Sequence, residues 1–243
     1  MNHVRVYLIG LTLLFSPLLQ AQMNLPSGPR PIKYQFMVFG VISAYQNDPR
    51  ISSNTHSGQG LGANVRAEIP VIKGVKFLVG AEILTQSISF DSYYFGPGYS
   101  FKFDGNEMYN HSIRTTEVGL PLLFKVNWKK KEEVYKTNMY FLFGWEPKYT
   151  LFAHSTVTSS SDGSLVSDNN IKLPYENQFL GTNVGNYIDV GFGFNRNFLP
   201  GHKSIIFECC YRYGLSRYVY EIGQGHDILY LNTNFSIGLG YRF

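Results

Sequence analysis

Hydrophobic and polar residues alternate without a fault through LNTNFSIGLGYRF, residues 231–243. Leu231, Thr233, Phe235, Ile237, Leu239, Tyr241 and Phe243 fall on one side, and Asn232, Asn234, Ser236, Gly238, Gly240 and Arg242 on the other. Period two over this length is a β-strand whose faces meet two different solvents. The alternation runs to Phe243 with no polar tail. It predicts the closing strand of a transmembrane β-barrel, with lipid outside and a polar interior within.

The same rule applied upstream predicts seven more strands, near residues 34–45, 59–70, 75–90, 112–128, 138–153, 186–198 and 204–219. The first, YQFMVFGVISAY, is apolar in both registers, and its facing stays open. In the second, Leu61, Ala63, Val65, Ala67 and Ile69 oppose Gly62, Asn64, Arg66 and Glu68, and the short turn 71–74 makes a hairpin with the third. Pro121 and Pro147 interrupt the fourth and fifth patterns and predict bulges there. Links after the even-numbered strands are short, whereas 46–58, 91–111, 154–185 and 220–228 are longer and polar. Short turns at one rim and long loops at the other are the asymmetry of outer-membrane barrels. The expected fold is therefore all-β, a transmembrane antiparallel up-and-down barrel of about eight strands, or ten if 154–185 hides a hairpin. Eight strands leave an interior that side chains just fill.

Residues 1–21, MNHVRVYLIGLTLLFSPLLQA, read as a cleaved signal peptide: Arg5 opens it, an apolar core follows, and Ala21 precedes the cut. A leader spans 22–33 and the barrel 34–243. Later windows nowhere reach the ~18 apolar residues of a membrane helix. Of the 243 residues, only 16% are charged and 16% are aromatic, mostly 18 Tyr and 19 Phe, which suits strands and an interfacial girdle. Mean hydropathy of −0.12 fits a barrel, whose strands average two faces.

A net charge of +4 with one basic run, Lys129–Lys131 followed by Glu132 and Glu133, reads as a solvated turn, so no nucleic-acid partner is expected. Cys209 and Cys210 are adjacent and form neither a disulfide framework nor a metal site alone. His56, His111, His154 and His226 fall in the long loops without ligand spacing, so no metal or cofactor is expected. Ser159, Ser160, Ser161 and Asp162 with His154 hold the ingredients of a hydrolase, but such runs are ordinary loop chemistry and there is no G-x-S-x-G elbow. No catalytic residue is assigned, and the chain is read as a non-enzyme. Aromatic loop residues 93–99 and 149–152 read as part of an interfacial belt, with a recognition surface as the alternative.

The inward register collects Glu68, Glu82, Glu117, Glu146, Asp189 and Glu208 against Arg66, Lys76, Lys125, Lys148, Arg196, Arg212 and Arg242. Near balance predicts a lumen charge network of paired side chains, because an unpaired buried charge is expensive. A charge-lined pore is the functional alternative.

The fourth strand, TEVGLPLLFK at residues 116–125, resembles the E-x-P-L-L-x-K pattern of PorT-like outer-membrane β-barrels of Bacteroidetes-type bacteria, stretched between Glu117 and Pro121. The A-Q cleavage signal and the closing GLGYRF also fit. This resemblance implies the cell outer membrane, outer-membrane lipid around the barrel and barrel-assembly machinery during insertion, with Tyr241 and Phe243 in the assembly signal. It leaves room for a periplasmic or extracellular protein partner and an accessory role in secretion or envelope assembly. Two functions follow: a structural or interaction barrel with a filled lumen, or a narrow channel or transporter for a small solute. A soluble lipocalin-type barrel, apolar inside and polar outside, is the third.

Overall fold

Alternation by two becomes an alternation of burial, and that decides which side of each strand is the inside. The computed structural model describes residues 32–46, 55–92, 94–95, 102–103, 108–128, 136–171, 184–198, 203–222 and 226–243. The expected signal peptide and most of the leader lie outside them. The strands are β1 (Lys33–Gln46), β2 (Thr55–Ile72), β3 (Val75–Ser92), β4 (Tyr94–Phe95), β5 (Lys102–Phe103), β6 (Tyr109–Gly119), β7 (Leu122–Asn127), β8 (Thr137–Ser159), β9 (Leu165–Ile171), β10 (Val184–Asn197), β11 (Ser204–Ile222) and β12 (His226–Arg242).

Every long pairing is antiparallel, and the ring runs β1, β2, β3, then β6 with β7, then β8, β10, β11, β12 and back to β1. It closes over the register Gln35↔Arg242 to Gln46↔Leu231. Within the ring, closure pairs each wall on both sides, so its backbone groups are satisfied by its neighbours. Eight walls form the ring because β6 and β7 are two halves of one: both pair with β3 on one side and β8 on the other. The expected fourth strand is therefore broken at Leu120 and Pro121. Proline has no N–H to give the ladder, and the strand resumes at Leu122. The bulge expected near Pro147 sits four residues later, at Leu151, where the register jumps from Glu117↔Thr150 to Thr116↔Phe152.

The segment 154–185 does hide a hairpin. β8 continues to Ser159, turns, and β9 returns along it from Thr158↔Leu165 to Ala153↔Ile171. β10 then takes up the same flank of β8 from Tyr149↔Val184 downward. The hairpin thus prolongs two walls of an eight-walled ring and adds no ninth. Segment 220–228, expected as a loop, is largely strand, with β11 and β12 paired as far as Ile222↔His226.

Facing follows one rule throughout. Outward side chains are apolar and exposed, as at Leu61 (72%), Phe152 (69%) and Leu239 (63%), while Arg66, Glu68 and Arg242 are buried within. That is the facing of a barrel standing in lipid and the reverse of the lipocalin alternative. β1 is settled by its neighbours: Gln35, Met37, Phe39, Val41 and Ser43 are buried inside, and Tyr34, Phe36, Val38 and Ile42 are exposed outside. Arg196, expected inside, is exposed on the outer face, next to outward Ile205 in the register. An outward arginine near the end of a strand reaches water beyond the apolar band.

Candidate functional site: a side-chain-filled lumen

The residues that alternate inward on eight walls converge on one axis. Nearest the short-turn rim, Glu68 on β2 is a hub. Its carboxylate accepts from Lys76 Nζ (2.6 Å), Lys125 Nζ (2.9 Å) and Arg242 Nη1 (3.2 Å), on β3, β7 and β12. Arg242 also donates to Asn197 Oδ1 at 2.7 Å. Lys125 and Arg242 are fully buried, so the hub compensates charges that would otherwise be costly to bury.

Further in, Arg66 Nη2 meets Glu208 Oε2 at 2.5 Å across three wall steps, and Tyr140 OH donates to Glu208 Oε1 at 2.7 Å. Gln35 presents its amide oxygen to the same guanidinium, 2.7 Å from Nε. Gly193 makes room for Tyr140: a Cβ there would collide with the phenol ring. Glycine is used here for close approach, and the aromatic covers it.

Beyond these lies the third group. Arg212 Nη1 and Nη2 donate to Glu82 Oε1 (2.8 Å) and Oε2 (2.7 Å), and Lys148 Nζ reaches Glu82 Oε1 at 2.9 Å. Glu146 and Asp189 sit at longer range, 3.5 and 3.8 Å from Arg212 Nε. Glu117, buried above them, accepts from Gln86 Nε2 at 3.3 Å. The charges are sorted along the axis. Glu68 and Glu208 face Lys76, Lys125, Arg66 and Arg242 toward the short-turn rim, whereas Glu82, Glu117, Glu146 and Asp189 face Lys148 and Arg212 toward the other.

Three lumen aromatics that lie against buried bases escaped the sequence reading. Lys125 Nζ lies 4.0 Å from the Tyr140 ring centroid, Lys148 Nζ 5.2 Å from Tyr187, and the Arg212 guanidinium 4.9 Å from Phe39. Each adds a cation–π contact to a buried base. Tyr140 and Tyr187 share registers with polar Asn138 and Asp189, so strict period-two counting could have found them; Phe39 could not be found while β1 stayed ambiguous. The lumen is also not purely polar. Met37, Leu78, Leu123, Leu142 and Ile206 form an apolar cluster with Tyr140 and Cys210, and Phe39, Val41 and Leu84 form another. The cavity bounded by Met37, Arg66, Glu82, Asp189 and Arg212 holds only about 10 Å³, no more than one water.

The other candidate residues are dispersed. Ser159, Ser161 and Asp162 serve the β8–β9 turn: Ser161 N–H donates to Ser159 Oγ (3.2 Å) and Ser164 N–H to Asp162 Oδ1 (2.9 Å). Gly163 supplies the positive φ of 71° that this turn needs. His154 is held on the outer face by Asp168 (2.6 Å) and Asn170 (2.9 Å), while His111 is buried on the inside, so the two do not converge. Among the described residues no three His, Cys, Asp or Glu side chains are grouped to hold a metal. Cys209 lies beside Phe192 and Ile237 in the register, on the outward set, and Cys210 beside Gly191 and Ser236 on the inward set.

A family model described as an outer membrane protein beta-barrel domain matches residues 20–218. Among solved structures, the chain is similar to the outer membrane protein OprG from Pseudomonas aeruginosa, at 11% identity over 88% of this chain and 97% of that one, TM-score 0.42. It is similar to Ail, the attachment invasion locus protein of Yersinia pestis, in complex with the heparin analogue sucrose octasulfate, at 11% identity over 88% and 100%, TM-score 0.38. It is also similar to the outer membrane protease OmpT from Escherichia coli, at 9% identity over 90% and 99%, TM-score 0.37. No curated protein matches the chain in sequence.

Proposed function

Because the chain belongs to the outer membrane protein β-barrel domain family, we propose that it is a sealed, non-enzymatic barrel of the cell outer membrane whose projecting strands are its working surface. The observation that carries this reading is the filled lumen. Three groups of paired charges and two apolar clusters occupy the axis, and the space left beside Arg212 is about 10 Å³. A conducting path would have to break the Arg212–Glu82 bridge, which spans the lumen.

Projection supports the second half of the reading. About 9–11 residues per strand cross a bilayer, whereas β8 has 23, β11 has 19 and β12 has 17. Outward apolar residues stop at Leu61, Ile83, Val118 and Phe152. Gln59, Thr85, Thr116 and His154 follow them on the same faces. Polar outward faces on paired strands are walls standing in water, rigid enough to present a surface to a protein partner.

Similarity to PorT-like barrels favours an accessory role in secretion or envelope assembly, with a periplasmic or extracellular protein as partner. Tyr241 and Phe243 are the residues we assign to recognition by barrel-assembly machinery during insertion. The test is reconstitution of the full chain into planar bilayers. No steady unitary conductance is expected, and reproducible steady openings would replace the sealed barrel with a narrow channel for a small solute.

A further inference from the structure

β1 carries an apolar side chain at outward positions Tyr34, Phe36, Val38 and Ile42, but at Gly40 it carries none. A Cβ built on Gly40 meets nothing within 4 Å. Above this gap the outer wall has a groove of about 730 Å³, within the usual range for ligand pockets. Its lower sides are Ile42, Leu61, Phe235 and Ile237, all exposed. Gly40 is flanked in the register by Leu61 and Ile237, so the depression is framed by apolar side chains on both neighbouring strands.

The groove crosses the upper edge of the apolar band. Its head is lined by Gln59, Thr85, Ser87 and Arg114, polar outward residues that lie beyond Leu61, Ile83 and Val118 on the same faces. Arg114 is exposed, and no carboxylate among the described residues pairs with it; its register neighbour His154 is already engaged by Asp168. The charge of Arg114 therefore stands open at the level where lipid headgroups lie.

We propose that this groove is a lipid site, taking an acyl chain over Gly40 and an anionic phosphate headgroup against Arg114. Below the band edge only hydrocarbon meets the wall, so a chain is the occupant that fills the missing volume. At the edge, guanidinium geometry favours phosphate, and the serine, threonine and glutamine beside it supply further polar contacts. The rim with the longer loops is the outer one in such barrels, which places the site in the outer leaflet.

The test uses the full chain in nanodiscs containing equal phosphatidylglycerol and phosphatidylcholine, followed by native mass spectrometry of retained lipid. One phosphatidylglycerol is expected to be retained over phosphatidylcholine by roughly five- to tenfold, about 1–1.4 kcal/mol, because both carry the phosphate but the choline ammonium of the second cancels the net charge that Arg114 meets. Arg114→Gln should equalise the two lipids while leaving chain retention intact. Gly40→Trp, which fills the groove from the lipid side, should abolish retention of both. Heat-modifiable gel mobility verifies that each variant is folded; should Gly40→Trp fail to fold, Gly40→Leu replaces it. Equal retention of both lipids by the unaltered protein, or an unchanged preference in Arg114→Gln, overturns the proposal, as does unchanged retention in the folded position-40 variant.

Discussion

Arg212 on β11 and Glu82 on β3 join through two hydrogen bonds, 2.8 and 2.7 Å long, from walls four steps apart in either direction round the ring. In an eight-walled barrel that is the full diameter. A bidentate pair strung across the axis ties opposite walls together and blocks the lumen at its middle. Arg212→Ala leaves Glu82 with Lys148 as its one base and Asn64 Nδ2 at 3.4 Å, and removes the nearest base from Glu146 and Asp189. Breaking one side of a buried ionic group costs about 3–5 kcal/mol. Urea titration of the folded, heat-modifiable band in lipid should show a loss of that size. Loss below about 1 kcal/mol would mean that the pair is replaceable by water.

A second prediction concerns packing. Gly193 faces the Tyr140 ring, and any Cβ there must displace it from Glu208. Gly193→Val should destabilise the barrel by about 1–3 kcal/mol through overpacking, and Tyr140→Ala in the same chain should relieve part of that loss. Additive effects in this double-mutant cycle would contradict the contact.

The assembly reading of Phe243 is separable from its folding contribution. Its ring stacks on Tyr34 and Tyr241, both at 6.3 Å between centroids, while its main chain pairs with Tyr34 at 2.9 and 3.2 Å. Phe243→Ala keeps the main-chain pair and loses two ring contacts, worth about 0.5–1.5 kcal/mol each. In cells, insertion should fall by more than refolding into lipid in vitro does. Equal reductions in the two settings would leave Phe243 a packing residue only.

Outside the membrane band, the β8–β9 turn has a pH signature. The Ser164 N–H donated to Asp162 holds that carboxyl below the ordinary aspartate range. A depressed folded value means that the contribution is present above the unfolded pKa and lost as pH falls through the folded one. The Ser164 amide resonance should therefore titrate with a midpoint below about 3.9, and Asp162→Asn should abolish the transition. A midpoint at or above the ordinary value would remove Asp162 from the turn.

Legibility differed from wall to wall for physical reasons. β2, β10 and β12 each carry one polar and one apolar face, so counting by two placed Arg66, Asp189 and Arg242 on the side where the structure has them. β1 resisted because lumen and lipid both receive apolar residues there: Phe39 packs under Arg212 inside while Val38 meets lipid outside. Arg196 shares the even-numbered register of outward Ile188, Val190, Phe192 and Phe194, so strict counting by two places it outside, where the structure has it; its charge, not its position, suggested the lumen.

What the sequence by itself determined was strand identity, the order of the walls and the side of most residues. All of these are local, since a period of two and a turn need only neighbours along the chain. Which charge meets which was decided by tertiary structure alone. Arg66 with Glu208 and Arg212 with Glu82 are separated by 142 and 130 residues, and their meeting depends on ring closure and the register of every wall between. The unfilled place at Gly40 became visible in the same way. A glycine in a strand is an ordinary letter until the side chains on both flanking walls are seen to leave its space open.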